Sequence, residues 1–194
     1  MKFKNVFIGF MVLLALSLSI PFVVYSLTKE PPHSLPVLGR VQGFALTDST
    51  GRPFHSDELK GKVWVASFFF TTCSDICPRI SENMASLSRA FEEVENVTLV
   101  SITVNPEQDS PEALARYART FGARSNWHFL TGTRSAITEV AVDSFKLGDM
   151  KEPIFHSGSL PLVDSQGFIR GYYDGTKERE VDRLLKDAAY LAHR

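Results

Sequence analysis

The chain has 194 residues, 44% of them hydrophobic, with 21 Lys and Arg against 22 Asp and Glu for a net charge of −1. That balance leaves no basic stripe to neutralise phosphates, so a nucleic-acid partner is not expected. The length suits one domain with a sizeable core, and no internal repeat or low-complexity tract divides it.

Met1-Lys-Phe-Lys-Asn5 carries two lysines, and Val6 to Leu27 follows as 22 residues without a charge. As a helix that run rises about 33 Å, enough for the hydrocarbon core of a bilayer. Pro21 kinks such a helix without excluding it. A cleavable signal peptide is the competing reading, but no Ala-x-Ala-like exit follows the run, nor a cysteine to be lipidated. The expectation is a single-pass membrane anchor over residues 1–29. Positive charge precedes the run while Lys29 and Glu30 cancel after it, which places the N-terminus in the cytoplasm and the body on the extracytoplasmic, periplasmic side. Residues 30–37 read as a Pro-rich spacer and residues 38–194 as one folded domain.

Gly43 to Thr47, the turn signal Asp48-Ser-Thr-Gly51, and Arg52-Pro-Phe54 predict a hairpin. Ser56-Asp-Glu-Leu59 predicts a capped helical turn ending at Gly61. Val63 to Phe70 is apolar throughout, as in a strand buried on both faces. A helix follows, opened by Pro78, with Ile80, Met84, Leu87 and Phe91 on its periodic face. Then come a strand over Val97 to Val104, a helix from Pro111 to Phe121, a strand over Trp127 to Leu130 and a helix from Ser135 to Phe145. A hairpin of Ser159–Val163 with Phe168–Tyr173 and a final helix capped by Thr176 complete the pattern. Alternating strands and helices ending in an antiparallel hairpin describe an α/β, thioredoxin-like fold: a central mixed sheet flanked by helices, with an N-terminal hairpin.

The two cysteines of the chain stand together in Cys73-Ser-Asp-Ile-Cys77-Pro78, where a strand should end and a helix begin. At i, i+4 on a first helical turn their side chains share a face, and a helix N-terminus favours the thiolate. Such a pair exchanges with disulfides or binds a soft metal; two buried core cysteines are the plainer alternative. In an exported body the pair is free to oxidise.

Four ordered blocks resemble the Sco/SenC family of membrane-anchored, thioredoxin-like copper proteins of cytochrome c oxidase assembly. They are Cys73-Ser-Asp-Ile-Cys77-Pro78, Val104-Asn-Pro-Glu-Gln-Asp-Ser-Pro111, Trp127-His-Phe-Leu-Thr-Gly132, and Phe155-His156-Ser157 followed by Leu162-Val-Asp164 and Gly167. The resemblance spans about Gly43 to Tyr173. It implies copper, as Cu(I) or Cu(II), held by the thiolates of Cys73 and Cys77 and the imidazole of His156. Taken alone, His156 reads as an ordinary surface or core histidine, as do His33, His55, His128 and His193. Three positions depart from the family pattern: Phe155 and Asn105 stand where an Asp is usual, and Ser74 replaces a frequent proline. Asp75 keeps one carboxylate inside the motif.

The function implied is a copper metallochaperone for the copper-bearing subunit of cytochrome c oxidase or another exported copper or thiol protein. The alternative is a thiol-disulfide reductase that uses Cys73 and Cys77 as a redox-active disulfide to keep a partner's copper-ligand cysteines reduced. A copper- or redox-responsive interaction protein without turnover is a third reading. A peroxidase is disfavoured, since no separate resolving cysteine exists.

Overall fold

The computed structural model describes residues 34–147 and 158–193. It divides into two units, Met1–Ser34 and Leu35–Arg194. The expected anchor, residues 1–29, lies outside the described residues. Among the described residues no helix is long and apolar enough to cross a membrane.

The second unit is built on a sheet of β1 (Gly39–Arg40), β2 (Ala45–Asp48), β3 (Pro53–His55), β4 (Val63–Phe69), β5 (Val97–Thr103), β6 (Trp127–Thr131), β7 (Ser159–Val163) and β8 (Phe168–Asp174). The helices described are a 3-10 turn Ser56–Leu59, as expected, and α1 (Ile76–Ala90), α2 (Pro111–Thr120), α3 (Arg134–Thr138, continued by a π-helical stretch Glu139–Ser144) and α4 (Glu178–Ala192). Across the sheet the order is β1-β8-β7-β4-β5-β6-β2-β3. β4, β5 and β6 run parallel, and the remaining pairings are antiparallel.

β4 and β5 are the central strands, and every residue of both is buried. Alternate side chains point to opposite faces. Val63, Val65 and Phe69 pack with Ile80 and Met84 of α1, Leu114 of α2 and Leu184 of α4. Trp64, Ala66 and Phe68 pack with Ile137, Val140 and Ala141 of α3. With both faces covered, neither strand has a solvent side, which accounts for the unbroken apolar run. Each of the buried Val, Leu, Ile, Phe and Met side chains contributes about 1.5–3 kcal/mol.

Several local details differ from the sequence reading. Thr176 does not cap α4. Its N–H and hydroxyl donate to Asp174 Oδ1 at 2.9 and 2.6 Å, closing a turn, and Lys177 occupies the N-cap. Ser56 does not cap its own turn either: its Oγ accepts the Phe44 N–H at 3.0 Å, while Glu58 accepts the His55 N–H at 2.9 Å. The helix expected from Ser135 begins one residue earlier, with Thr133 Oγ1 accepting the Ala136 N–H at 3.2 Å, and its second half widens into the π form. The short edge strand β1, paired with β8, had no signature of its own.

Candidate functional site: the Cys73–Cys77 pair

The chain leaves β4 at Phe69 and turns through Phe70–Asp75 before α1 begins, at the carboxyl ends of the parallel strands where open α/β sheets build their sites. Cys73 lies in that turn, with its N–H donating to the Phe70 carbonyl at 3.2 Å. Asp75 is the N-cap, Cys77 the second helical residue and Pro78 the third. The helix cannot use the N–H that proline lacks at that position. The pair is therefore not i, i+4 on one helical turn, as the spacing suggested, because only Cys77 is helical. The turn folds Cys73 back over the helix start instead. The two thiols share a hydrogen bond, and the Cys73 sulfur also accepts from the N–H groups of Asp75 and Cys77.

The partners differ in setting. Cys77 is 3% exposed and packs in the core with Ile80 and Met84, whereas Cys73 is half-buried at its margin. Burial pushes the Cys73 thiol up, and the charge of Asp75 adds to that. The bonds from the Cys77 thiol and two backbone N–H groups outweigh both, so Cys73 ionises below the ordinary thiol range. Burial first, then the bond to Cys73, pushes the Cys77 thiol up to about 12. Both cysteines are unbridged. Ionisation is thus favoured at one sulfur and disfavoured at its neighbour.

Two further groups lie near the pair: Asp109, which the sequence marks only as part of the block Val104–Pro111, and Tyr117, which it does not mark at all. Asp109 is fully buried and accepts from Thr71 and Thr103. In the sequence it stands inside the family-like block Val104–Pro111 with no role attached to it, and the spacing does not show its burial. Tyr117 of α2 stacks on Phe69 with ring centroids 4.8 Å apart, and its hydroxyl is 2.8 Å from Ser81 Oγ on α1. Burial, and then the nearby thiols and Asp109, push the Tyr117 hydroxyl up to about 12 against the Ser81 bond. Asn105 serves a turn: its N–H donates to Thr103 Oγ1 at 3.0 Å, and its carbonyl accepts from Gln108 and Asp109.

His156 and Phe155 lie outside the described residues, as does His33. His55 and His193 are exposed. His128 is half-buried against the Phe54 ring at 5.2 Å, with burial and the Lys62 charge holding its imidazole below the usual range. Among the described residues no group of three His, Cys, Asp or Glu side chains is placed to hold a metal. The donor chemistry present, two adjoining sulfurs with one inclined to ionise, fits a soft ion. A cleft of about 420 Å3, lined by Ile76, Tyr172, Asp174 and Thr176 among others, opens beside the start of α1.

The family model for SCO1/SenC matches residues 39–191. The chain belongs to the SCO1/SenC family. A SCO1 protein homolog of Bacillus subtilis is 33% identical over 160 residues, covering 78% of this chain and 82% of its own. The solved structure of BsSco, described as a member of the Sco family of cytochrome c oxidase assembly proteins with a disulfide switch, superposes with a TM-score of 0.72. It is 30% identical, over 82% of this chain and 98% of that one. Arabidopsis thaliana ScoI, solved with copper bound, gives a TM-score of 0.64 at 25% identity over 77% and 98% of the two chains. The thioredoxin-like α/β body is thus a Sco fold, with the cysteine pair at its strand-to-helix junction.

Proposed function

We propose that this SCO1/SenC protein binds copper and serves the assembly of the copper centre of cytochrome c oxidase, with Cys73, Cys77 and His156 as ligands. The ion is cargo, passed on to a copper-bearing oxidase subunit or another exported copper protein. The observation that carries the reading is the thiol pair at the junction of β4 and α1, one sulfur half-buried at the core's margin and the other buried in it. Two adjoining sulfurs satisfy Cu(I), and an added imidazole suits Cu(II). The resemblance of Phe155-His156-Ser157 to the family's histidine block supports His156 as the third donor. The copper seen in the Arabidopsis relative agrees with this reading.

The test is anaerobic copper titration of reduced protein. One Cu(I) should bind, Cys73→Ser should abolish it, and His156→Ala should weaken Cu(II) strongly and Cu(I) modestly. Unchanged copper content in the Cys73→Ser protein would remove the thiol site from consideration.

The asymmetry of the pair favours a second reading, thiol-disulfide reduction. The Cys73 thiolate attacks a partner disulfide and forms a mixed disulfide, and one partner sulfur leaves. Cys77 then gives up its proton and displaces the second, leaving Cys73–Cys77 oxidised and the partner as a dithiol. If His156→Ala leaves copper affinity and oxidase assembly untouched while Cys→Ser abolishes assembly, the reductase reading replaces the copper one. Residues 1–29 complete the proposal as a membrane anchor holding the body on the extracytoplasmic side. Full-length protein should then resist high-salt extraction from membranes, and a mature chain starting after Leu27 would show a cleaved signal instead.

A further inference from the structure

We infer that Asp109 is a positioning residue for the thiol pair. Through Thr71 it holds the turn that carries Cys73 against Cys77, and so sets how strongly the pair favours its disulfide. The inference rests on the reading of Cys73 and Cys77 as one working unit.

Asp109 has no exposed surface. Its Oδ2 accepts the Thr71 N–H at 3.1 Å and the Thr103 hydroxyl at 2.5 Å, and its Oδ1 accepts the Thr71 hydroxyl at 2.5 Å. One carboxylate thus ties together the turn after β4, the last residue of β5 and the residue before Ser110, which caps α2. Thr71 stands two residues before Cys73. The bond from the Cys73 N–H to the Phe70 carbonyl is local to the turn, and the Phe70 backbone and the Asp75 and Cys77 N–H groups tie the turn to the thiols and the start of α1. Asp109 is a long-range anchor of the segment, joining Thr71 to a residue 38 positions on that also holds the end of β5. A buried acceptor serving three donors is costly to remove, because each donor is then left desolvated and unpaired. A turn released at Thr71 lets Cys73 sample positions away from Cys77, and the effective concentration of one thiol at the other falls.

The experiment equilibrates the reduced protein with mixtures of oxidised and reduced glutathione and measures the fraction of intramolecular disulfide. In that exchange the two cysteine thiols and one oxidised glutathione give one protein disulfide and two reduced glutathiones, which carry the two thiol protons. Asp109→Ala should lower the equilibrium constant about tenfold, a change of about 30 mV in potential. Thr71→Val, which keeps the backbone N–H bond and loses the hydroxyl, should lower it about threefold by the same loosening. Asp109→Asn should stay within about twofold of the native protein, since its carbonyl oxygen can serve two of the donors and its amide can donate to Thr71 Oγ1. If Asp109→Ala does not fold, the other two variants decide. A native constant in Thr71→Val, or a loss in Asp109→Asn as large as in Asp109→Ala, overturns the inference. A native protein that forms no intramolecular disulfide overturns the working-unit reading as well.

Discussion

Cys73 and Cys77 are chemically identical residues four positions apart, and the fold makes them different reagents. Burial against Ile80 and Met84 suppresses ionisation of one, while backbone N–H groups at the start of α1 promote it in the other. Iodoacetamide should therefore label Cys73 well ahead of Cys77 at neutral pH, with a rate inflection below the ordinary thiol value. Equal labelling of both, followed by peptide mass analysis, would contradict the assignment. The buried thiol also has a thermodynamic signature. Cys77 and Tyr117 are both raised to about 12 from ordinary values of 9.0 and 10.0, so the folded state keeps protons that the unfolded chain releases. Their stabilising contribution is whole below about pH 9 and drains away as pH climbs toward 12. The lowered Cys73 works in the opposite sense, adding stability as pH rises toward the ordinary thiol value. The thermal midpoint of reduced protein should fall between pH 9 and 11. The oxidised form, which has no Cys77 proton to lose, should fall less; identical slopes would show that the thiol contributes nothing.

At the scale of elements, the hairpin of β7 and β8 joins the sheet to α4 through one tightly packed ring. Tyr173 is 2% exposed, and its hydroxyl donates to Asp187 Oδ2 at 2.5 Å. A Cβ added at Gly171 would stand 2.8 Å from that ring. The ring is held from both ends and cannot yield cheaply, so Gly171→Ala should cost about 1–3 kcal/mol. That corresponds to a drop of about 2–4 °C in Tm per kcal/mol, measurable by calorimetry. Gly167, by contrast, owes its identity to the turn between the two strands, where φ is +83°. Adjacent glycines of one hairpin thus answer to different constraints, one to packing and one to backbone sterics.

For the molecule as a whole, the boundary of the body is set by a contact across the chain. Arg170 of β8 donates to the carbonyls of Leu35 and Pro36 and to Asp164 Oδ2, the last at 2.8 Å, and Leu35 packs against the main core. Protein starting at Leu38 loses both carbonyl acceptors and that packing, whereas protein starting at Leu35 keeps them. Hydrogen bonds to a charged group contribute about 1.5–3 kcal/mol each, so the longer form should melt several degrees higher. Equal midpoints for the two forms would show that the docked segment is stabilising nothing. The proposed anchor over residues 1–29 and the last spacer residues thus meet different demands, membrane insertion for one and sheet-edge docking for the other.

The order of strands and helices from β2 onward, the burial of β4 on both faces, the family and the cysteine pair were all legible in the sequence. Each is carried by a local pattern: unbroken apolar runs, the periodicity of Ile80, Met84, Leu87 and Phe91, or a motif of six residues. What remained hidden depends on partners far apart in sequence. The block Val104–Pro111 includes Asp109 but does not tell of its burial, which Thr71 and Thr103 on other elements create. Likewise Thr176 and Ser56 carry cap-like side chains that the fold spends on Asp174 and on Phe44. Above all, the spacing of Cys73 and Cys77 announced a pair but not its asymmetry. Burial and hydrogen bonding decide which thiol ionises, and both are properties of the packed core and the turn above it. They come into being only when strand, turn and helix are brought together.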